Sequence, residues 1–285
     1  MDENVGPRRI AGLSEIAGDY QGLLCDVWGV LHNGVEAHAP AVEALCRFRD
    51  GGGRVVLITN APRPARQVRA QLRRLGAVDA AYDAVVSSGD ATRNLLATRA
   101  GAAMFHLGPE RDRPLFEGLD LTLESPDRAE FVLLTGLFDD EVETPEDYQD
   151  LLAELRARDL EVICANPDIV VERGGRRVYC AGALAQSYEA LGGTVIYAGK
   201  PYPPIYETAL SLLAEMSAEP VPKRKILAIG DGISTDLKGA AGAGLDMLFI
   251  TGGIHADQGT GPAGLQALFA DSGVRPRAVL EALVW

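Results

Sequence analysis

The sequence predicts an α/β protein built on a Rossmann-like parallel sheet. Three observations carry the prediction. First, LLCDVWGVLHNG (23 to 34) drives an apolar run of Leu23, Leu24 and Cys25 into Asp26, with Gly29 and Gly34 close behind. A short apolar run bounded by turn residues is the pattern of a strand buried on both faces. Second, the construction returns three times, in RVVLITN (54 to 60), TVIYAGK (194 to 200) and KILAIGD (225 to 231). Third, capped helical patterns separate these runs, as crossover connections between parallel strands require.

The elements follow in order. Residues 1 to 20 are polar and mixed, with a short helix expected over the core. In HAPAVEALCRFRDGG, Pro40 sits in a first turn, Val42, Leu45 and Phe48 keep helical spacing, and Gly51 to Gly53 stop the helix. After strand 54 to 59, a helix runs from about Pro64 to Leu75 and ends at Gly76. Its Arg66, Arg69, Arg73 and Arg74 read as a solvated face, and Arg63 and Arg66 stand out for lying near Asn60. AVVSS (84 to 88) is a strand, and Asp90 is expected to cap the helix that follows.

A separate βα pattern then begins. AAMFHLG, EFVLLTG and EVICAN are strand-like. TPEDYQDLLAELRAR is a helix with Thr144 at its N-cap, Pro145 at N1 and Asp147 in the first turn. IVVERGGRRVYC reads as a hairpin turning on Gly174 and Gly175, and a helix over 183 to 191 leads to strand 194 to 198. About a hundred residues with their own βα pattern are too many for a loop and suit an inserted domain. The expected division is a core of 1–86 and 195–285 and an insert of 87–194. Helix 204 to 216, strand 225 to 230, helix 235 to 243 and strand 246 to 250 complete the core, followed by a Gly-rich stretch and a last helix or two.

Composition narrows the function classes. Hydrophobic residues make up 47% and charged residues 24%, ordinary for a soluble globular chain of 285 residues. The net charge of −13 disfavours nucleic acid and anionic membrane as partners, and an anionic substrate then needs a local cation. Cys25, Cys46, Cys164 and Cys180 form no CxxC pair and lie in or beside apolar runs, which suits free thiols in a reducing cytoplasm. No signal peptide or membrane-spanning run is expected.

The strand ends carry the chemistry. In an open parallel sheet, ligands bind beyond the carboxyl ends of the strands. On one sheet, Asp26, Thr59-Asn60, Lys200 and Asp231 would all meet at that edge. Taken alone, Asp26 reads more readily as a residue capping a turn, the commoner fate of a lone strand-end Asp. With Asp231 it makes a hard oxygen site suited to Mg²⁺. A hydroxyl, an amide and an ammonium suit a phosphate.

Asp, Thr-Asn, Lys and then GDGISTD, in that order, resemble the four motifs of the haloacid dehalogenase (HAD) superfamily. The place of the insert and ANPD at 165 to 168 resemble its class IIA, NagD and 4-nitrophenylphosphatase-like branch. The resemblance implies a HAD core with an inserted α/β C2-type cap. It implies a Mg²⁺-dependent phosphatase of a small phosphorylated metabolite, working through a phosphorylated Asp26 with Lys200 and Asp231 as catalytic partners. Mg²⁺ would be held by Asp26, the Trp28 main-chain carbonyl, Asp231 and Asp236. Phosphate would be held by Thr59, the Asn60 backbone N–H and Lys200. The loop Asn166-Pro167-Asp168 would meet the leaving group; by its residues alone it is equally an Asn-Pro turn. A homodimer formed through the cap is also implied.

One position departs from the family pattern. The second Asp of the first motif, which serves as general acid and base, is here Trp28. His32 is a candidate substitute, because imidazole suits proton transfer near neutrality, and a hydrogen-bonded loop residue is its structural alternative. His255 is a weaker candidate on the same grounds. Two other readings therefore stand beside an efficient phosphatase: a hydrolase restricted to activated aryl or acyl phosphates, and a protein that binds a phosphorylated ligand and scarcely turns it over.

Overall fold

The computed structural model describes every residue except 1–6, 174–175, 218, 254–263, 266–268 and 271. The expected turn at Gly174-Gly175 and His255 lie outside the described residues. The chain divides into two compact units: the chain through Thr59 with Arg69–Val86 and Tyr206–Trp285, and Asn60–Val68 with Ser87–Ile205.

The first unit holds β1 (Arg8–Arg9), α1 (Ser14–Ala17), β2 (Gly22–Asp26), α2 (Ala39–Asp50), β3 (Arg54–Thr59) and β4 (Ala84–Ser87). α3 (Ala65–Leu75) lies between β3 and β4 in the chain. Seven strands form one sheet in the order β1-β14-β13-β12-β2-β3-β4, in which β12 (Ile226–Gly230), β13 (Asp246–Ile250) and β14 (Ala278–Leu280) come from the end of the chain. β2 lies between β12 and β3 and is parallel to both, with Cys25 opposite Ile229 and Leu57. All five residues of β2 are buried, as are all five of β12. Burying a side chain such as Leu23 or Leu24 stabilises the fold by roughly 2 kcal/mol, so this central register resists slippage.

The second unit holds α4 (Ser88–Ala97), β5 (Ala103–Leu107), β6 (Thr122–Leu123), β7 (Phe131–Leu134), α5 (Gln149–Ala157), β8 (Glu161–Cys164), β9 (Val170–Arg173), β10 (Arg176–Tyr179), α6 (Ala181–Ala190) and β11 (Val195–Tyr197). Its sheet, β11-β8-β7-β5-β6, is parallel throughout. Alternation along β7 separates two apolar layers: Val132 and Leu134 join Leu152, Leu155 and Leu184, while Phe131 and Leu133 join Met104 and Leu96. β9 and β10 pair antiparallel as a hairpin. The fold is thus a parallel α/β core with a second parallel α/β sheet, the cap, inserted.

Three local expectations change. The strand over 194 to 198 does not join the core sheet: β11 pairs with β8, Val195 opposite Val162 and Tyr197 opposite Cys164. A three-residue apolar run carries no information about its partner, and half-buried β11 fits the open edge of the smaller sheet. Asp90 is not the cap of α4. Ser87 accepts the Asp90 N–H and donates to its carboxylate, and that carboxylate also accepts the Ala65 N–H. The helix expected over 235 to 243 begins as a π-helical turn, Ile233–Leu237, before α8 (Lys238–Ala243). α7 (Pro203–Glu215) precedes β12. Thr144 is the N-cap as expected, and it forms a capping box in which Thr144 and Asp147 satisfy each other's backbone N–H groups ahead of α5.

Candidate active site

Within the first unit, parallel β2 and β12 end side by side, so the residue closing one and the residue following the other become neighbours. Asp26 is the last residue of β2, and Asp231 comes directly after Gly230, the last of β12. Asp236 follows in the π-helical turn, a local widening that recurs at functional sites. The carboxylates of Asp26, Asp231 and Asp236 supply oxygens all within 4.8 Å of one another, and all three residues are buried. Thr59 ends the neighbouring strand β3 and is buried too.

Each carboxylate is held. Asp26 Oδ1 accepts the Val27 N–H at 2.7 Å. Asp236 Oδ2 accepts the Gly232 N–H at 3.0 Å. Asp231 is enclosed by glycine: a Cβ at Gly29 would lie 2.3 Å from its Oδ2, and one at Gly253 2.0 Å from the same atom. Gly29 also has a φ of 83°, a left-handed conformation that favours glycine.

Three clustered, buried carboxylates repel one another unless a cation or protons intervene. Hard oxygens, three converging charges and close-packed glycines fit a divalent cation of the Mg²⁺ kind. Asp26, Asp231 and Asp236 would hold it.

Trp28 and His32 lie in the loop after β2. Their rings meet edge to face with centroids 5.0 Å apart, and a β-bridge joins their backbones. His32 is 2% exposed, and its Nδ1 accepts the Gly34 N–H at 3.0 Å. Burial pushes its pKa down to about 4, so the ring is neutral near pH 7.

Within the second unit, a separate polar group forms around Asn60, Asp168 and Lys200. Lys200 follows β11, is 2% exposed and carries a charge that burial makes costly to leave uncompensated. Asn60 Nδ2 donates to Asp168 Oδ1 at 2.9 Å and to the Lys200 carbonyl at 3.1 Å. In the loop after β8, Asn166 Oδ1 accepts the Asp168 N–H at 3.1 Å, and Pro167 is buried with its carbonyl against Gly182. Arg63 pairs with buried Asp112 at 3.4 Å, and burial raises the Asp112 pKa. Arg66 is exposed, as a solvated helix face requires. Asp112 was not signalled by the sequence, because nothing local marks an acid that a distant arginine will meet.

Comparison with known proteins follows the same lines. Residues 23–122 match the family model described as haloacid dehalogenase-like hydrolase, and residues 197–283 match a second HAD-like hydrolase model. A haloacid dehalogenase-like hydrolase from Brucella suis 1330 has a crystal structure 48% identical to this chain, covering 96% of it and 100% of the Brucella chain, with a TM-score of 0.88. Ribonucleotide monophosphatase NagD of Escherichia coli K12 is 29% identical over 82% of this chain and 88% of its own length. A glycerol phosphate phosphatase from Mycobacterium tuberculosis, crystallised with magnesium, is 25% identical, covers 93% of this chain and 75% of its own, and has a TM-score of 0.67. The chain belongs to the haloacid dehalogenase-like hydrolases, in the NagD and p-nitrophenylphosphatase-like class IIA branch. Among the described residues, no helix is long and apolar enough to cross a membrane.

Proposed function

We propose that the protein is a Mg²⁺-dependent phosphatase of a small phosphorylated metabolite that uses Asp26 as nucleophile and favours esters with good leaving groups. The observation that supports this is the buried cluster of Asp26, Asp231 and Asp236 at adjoining strand ends. The names of relatives, a ribonucleotide monophosphatase and a glycerol phosphate phosphatase, support the substrate class.

An Asp26 oxygen attacks phosphorus, the ester oxygen leaves with its electron pair, and a phospho-Asp26 results. Water then attacks that phosphorus, returning the carboxylate and releasing inorganic phosphate. A bound Mg²⁺ offsets the repulsion between the carboxylates and the incoming phosphate. Asp26, Asp231, Asp236 and the Trp28 carbonyl are the proposed ligands. Thr59, Asn60 and Lys200 take the phosphate oxygens, Lys200 supplying the local cation that an acidic protein needs. Asn166 and Pro167 belong to the loop assigned to the leaving group. The expected core of 1–86 and 195–285 and cap of 87–194 are kept as the proposed division except at their second junction, where β11 goes with the cap because it pairs in the cap sheet.

Trp28 favours the restriction on leaving groups. General acid and base assistance is worth roughly 10² to 10⁴ in rate, and an indole supplies neither. The neutral ring of His32, with Nδ1 engaged, is the nearby candidate for a substitute. The test is a panel of phosphate esters of graded leaving-group pKa with Mg²⁺. A steep dependence is expected. Equal rates on sugar phosphates and 4-nitrophenyl phosphate would mean a donor exists, and His32→Ala would then identify or exclude it. Binding of phosphate esters without turnover of any would show a ligand-binding protein instead.

A further inference from the structure

We propose that Asn60 and Asp168 are positioning residues for Lys200: the Asn60 carboxamide clamps the Lys200 backbone, and the Asp168 carboxylate fixes which way round that carboxamide lies. The proposal rests on the reading of Lys200 as a phosphate-binding group. It takes Asp168 out of contact with the leaving group and gives the Asn60 side chain a role separate from that of its backbone.

The geometry is reciprocal. Asn60 Oδ1 accepts the Lys200 N–H at 2.6 Å, and Asn60 Nδ2 donates to the Lys200 carbonyl at 3.1 Å. One side chain thus makes with Lys200 the paired bonds that a neighbouring strand would make. The regular ladder of β11 ends with Tyr197 opposite Cys164, and the Ala198 N–H still reaches the Cys164 carbonyl at 3.3 Å. Beyond that point the Asn60 carboxamide takes over the backbone. Gly199 admits it: a Cβ there would lie 2.3 Å from Asn60 Oδ1, 2.8 Å from Pro167 Cδ and 2.9 Å from Ser88 Oγ.

A carboxamide can be turned over, exchanging donor and acceptor ends. Turned over, it would face the Lys200 N–H with its own N–H₂ and the Lys200 carbonyl with its own oxygen. An ionised carboxylate only accepts hydrogen bonds. Asp168 Oδ1, 2.9 Å from Asn60 Nδ2, therefore selects the orientation in which Oδ1 meets the Lys200 N–H. Asp168 is itself held by its own N–H on Asn166 Oδ1 and by its carbonyl, which accepts the Gly182 N–H. Ser88 Oγ ties the same loop through the Ala165 carbonyl at 2.7 Å. The loop after β8 thus orients Asn60, and Asn60 orients Lys200.

The two roles for Asp168 separate experimentally. A residue that touches the leaving group affects esters unequally and does not alter affinity for inorganic phosphate. A residue that orients Lys200 affects every ester alike and weakens inorganic phosphate by a similar factor. With Mg²⁺ present, kcat and KM for 4-nitrophenyl phosphate and two alkyl phosphates would be measured beside inhibition by inorganic phosphate. For Asp168→Ala we expect the phosphate inhibition constant to rise, and kcat/KM for every ester to fall, by about 10-fold, the scale of one unsatisfied buried hydrogen-bonding group. Asp168→Asn keeps an acceptor for Asn60 Nδ2 and should recover to within about 3-fold of wild type. Asn60→Asp sets carboxylate against carboxylate and should be worse than Asp168→Ala; if it does not fold, the Asp168 pair still decides. Losses that vary with leaving group at unchanged phosphate affinity, or an Asp168→Asn variant as weak as Asp168→Ala, would overturn the proposal. If wild type hydrolyses no ester, the phosphatase reading fails by itself, and phosphate affinity of the same variants, read by thermal shift, still decides the positioning role.

Discussion

Gly29 stands against the Asp231 carboxylate, with room for a hydrogen and none for a methyl group: an added Cβ would lie 2.3 Å from Asp231 Oδ2. The loop after β2 therefore approaches the acid after β12 as closely as a glycine permits. Gly29→Ala should cost roughly 1 to 2 kcal/mol through its left-handed backbone alone, and it should push Asp231 out of the cluster. Urea unfolding with Mg²⁺ and with a chelator checks both effects. Wild type should gain stability from Mg²⁺, and the variant should lose most of that gain. A variant stabilised by Mg²⁺ as fully as wild type would show that the cation does not need Asp231 where it stands.

Asp26→Asn should abolish all turnover, since an amide cannot attack phosphorus as a carboxylate does. Trp28→Asp should raise turnover of alkyl phosphates by up to about 10² to 10⁴-fold and change 4-nitrophenyl phosphate much less. Wild type should show a burst with activated substrates, because breakdown of phospho-Asp26 lacks an assisting base. Stopped-flow release of 4-nitrophenolate and mass spectrometry of trapped protein measure both. No gain in Trp28→Asp would mean that the donor's absence is not the limit on rate.

A pH dependence of stability follows from His106. Its Nε2 is 2.9 Å from Thr135 Oγ1 and its ring packs against Phe116. Burial, aided by Arg113 and opposed by Glu110, lowers its pKa from 6.5 to about 4. Between those values the unfolded chain binds a proton that the folded ring refuses. Its contribution to stability is therefore complete above pH 6.5 and is lost as pH falls toward 4. The loss is at most about 3 kcal/mol, less what the partly exposed ring recovers from solvent. In urea unfolding from pH 7 to 4, His106→Gln should lose less stability than wild type. Parallel curves for the two proteins would reject this assignment.

Self-association is expected through the cap. Among the described residues, Leu123, Phe138, Val142, Tyr179 and Leu191 are exposed large hydrophobics of the second unit, against Val35 and Val78 in the first. Light scattering should give a dimer whose dissociation is promoted by Phe138→Ser or Val142→Ser. A monomer at assay concentration would end this expectation.

Much of the core was legible because buried parallel strands are written locally. Leu23 to Asp26 and Ile226 to Asp231 each announce a strand and the acid beyond it; that the two strands lie side by side is a fact of the sheet order. Partnership was not legible. Nothing within Val195 to Tyr197 distinguishes the core sheet from the cap sheet, since both accept a short apolar strand. The Ser87 cap was hidden by Asp90, three residues later, because serine and aspartate both suit either end of that exchange. Asn60 was visible as the end of a strand, but the bonds of its carboxamide to Lys200, 140 residues away, are a tertiary fact with no local trace.

The pairing of β2 with β12 also has a kinetic meaning. Residues 26 and 231 are joined by most of the chain, and closing so long a loop carries an entropic cost before any contact compensates it. The sheet β11-β8-β7-β5-β6 is drawn from one continuous stretch and can form while the chain's two ends are still apart. Once it has formed, it shortens the effective span between β2 and β12. The edge that carries the acid cluster should accordingly be among the last parts of the molecule to assemble, with amide protection in pulse-labelled refolding appearing at Phe131–Leu134 before Gly22–Asp26. Synthesis must pass Asp236 before Asp26 acquires both acids that cluster with it, so a ribosome-bound fragment ending earlier carries Asp26 without the group proposed to hold the cation.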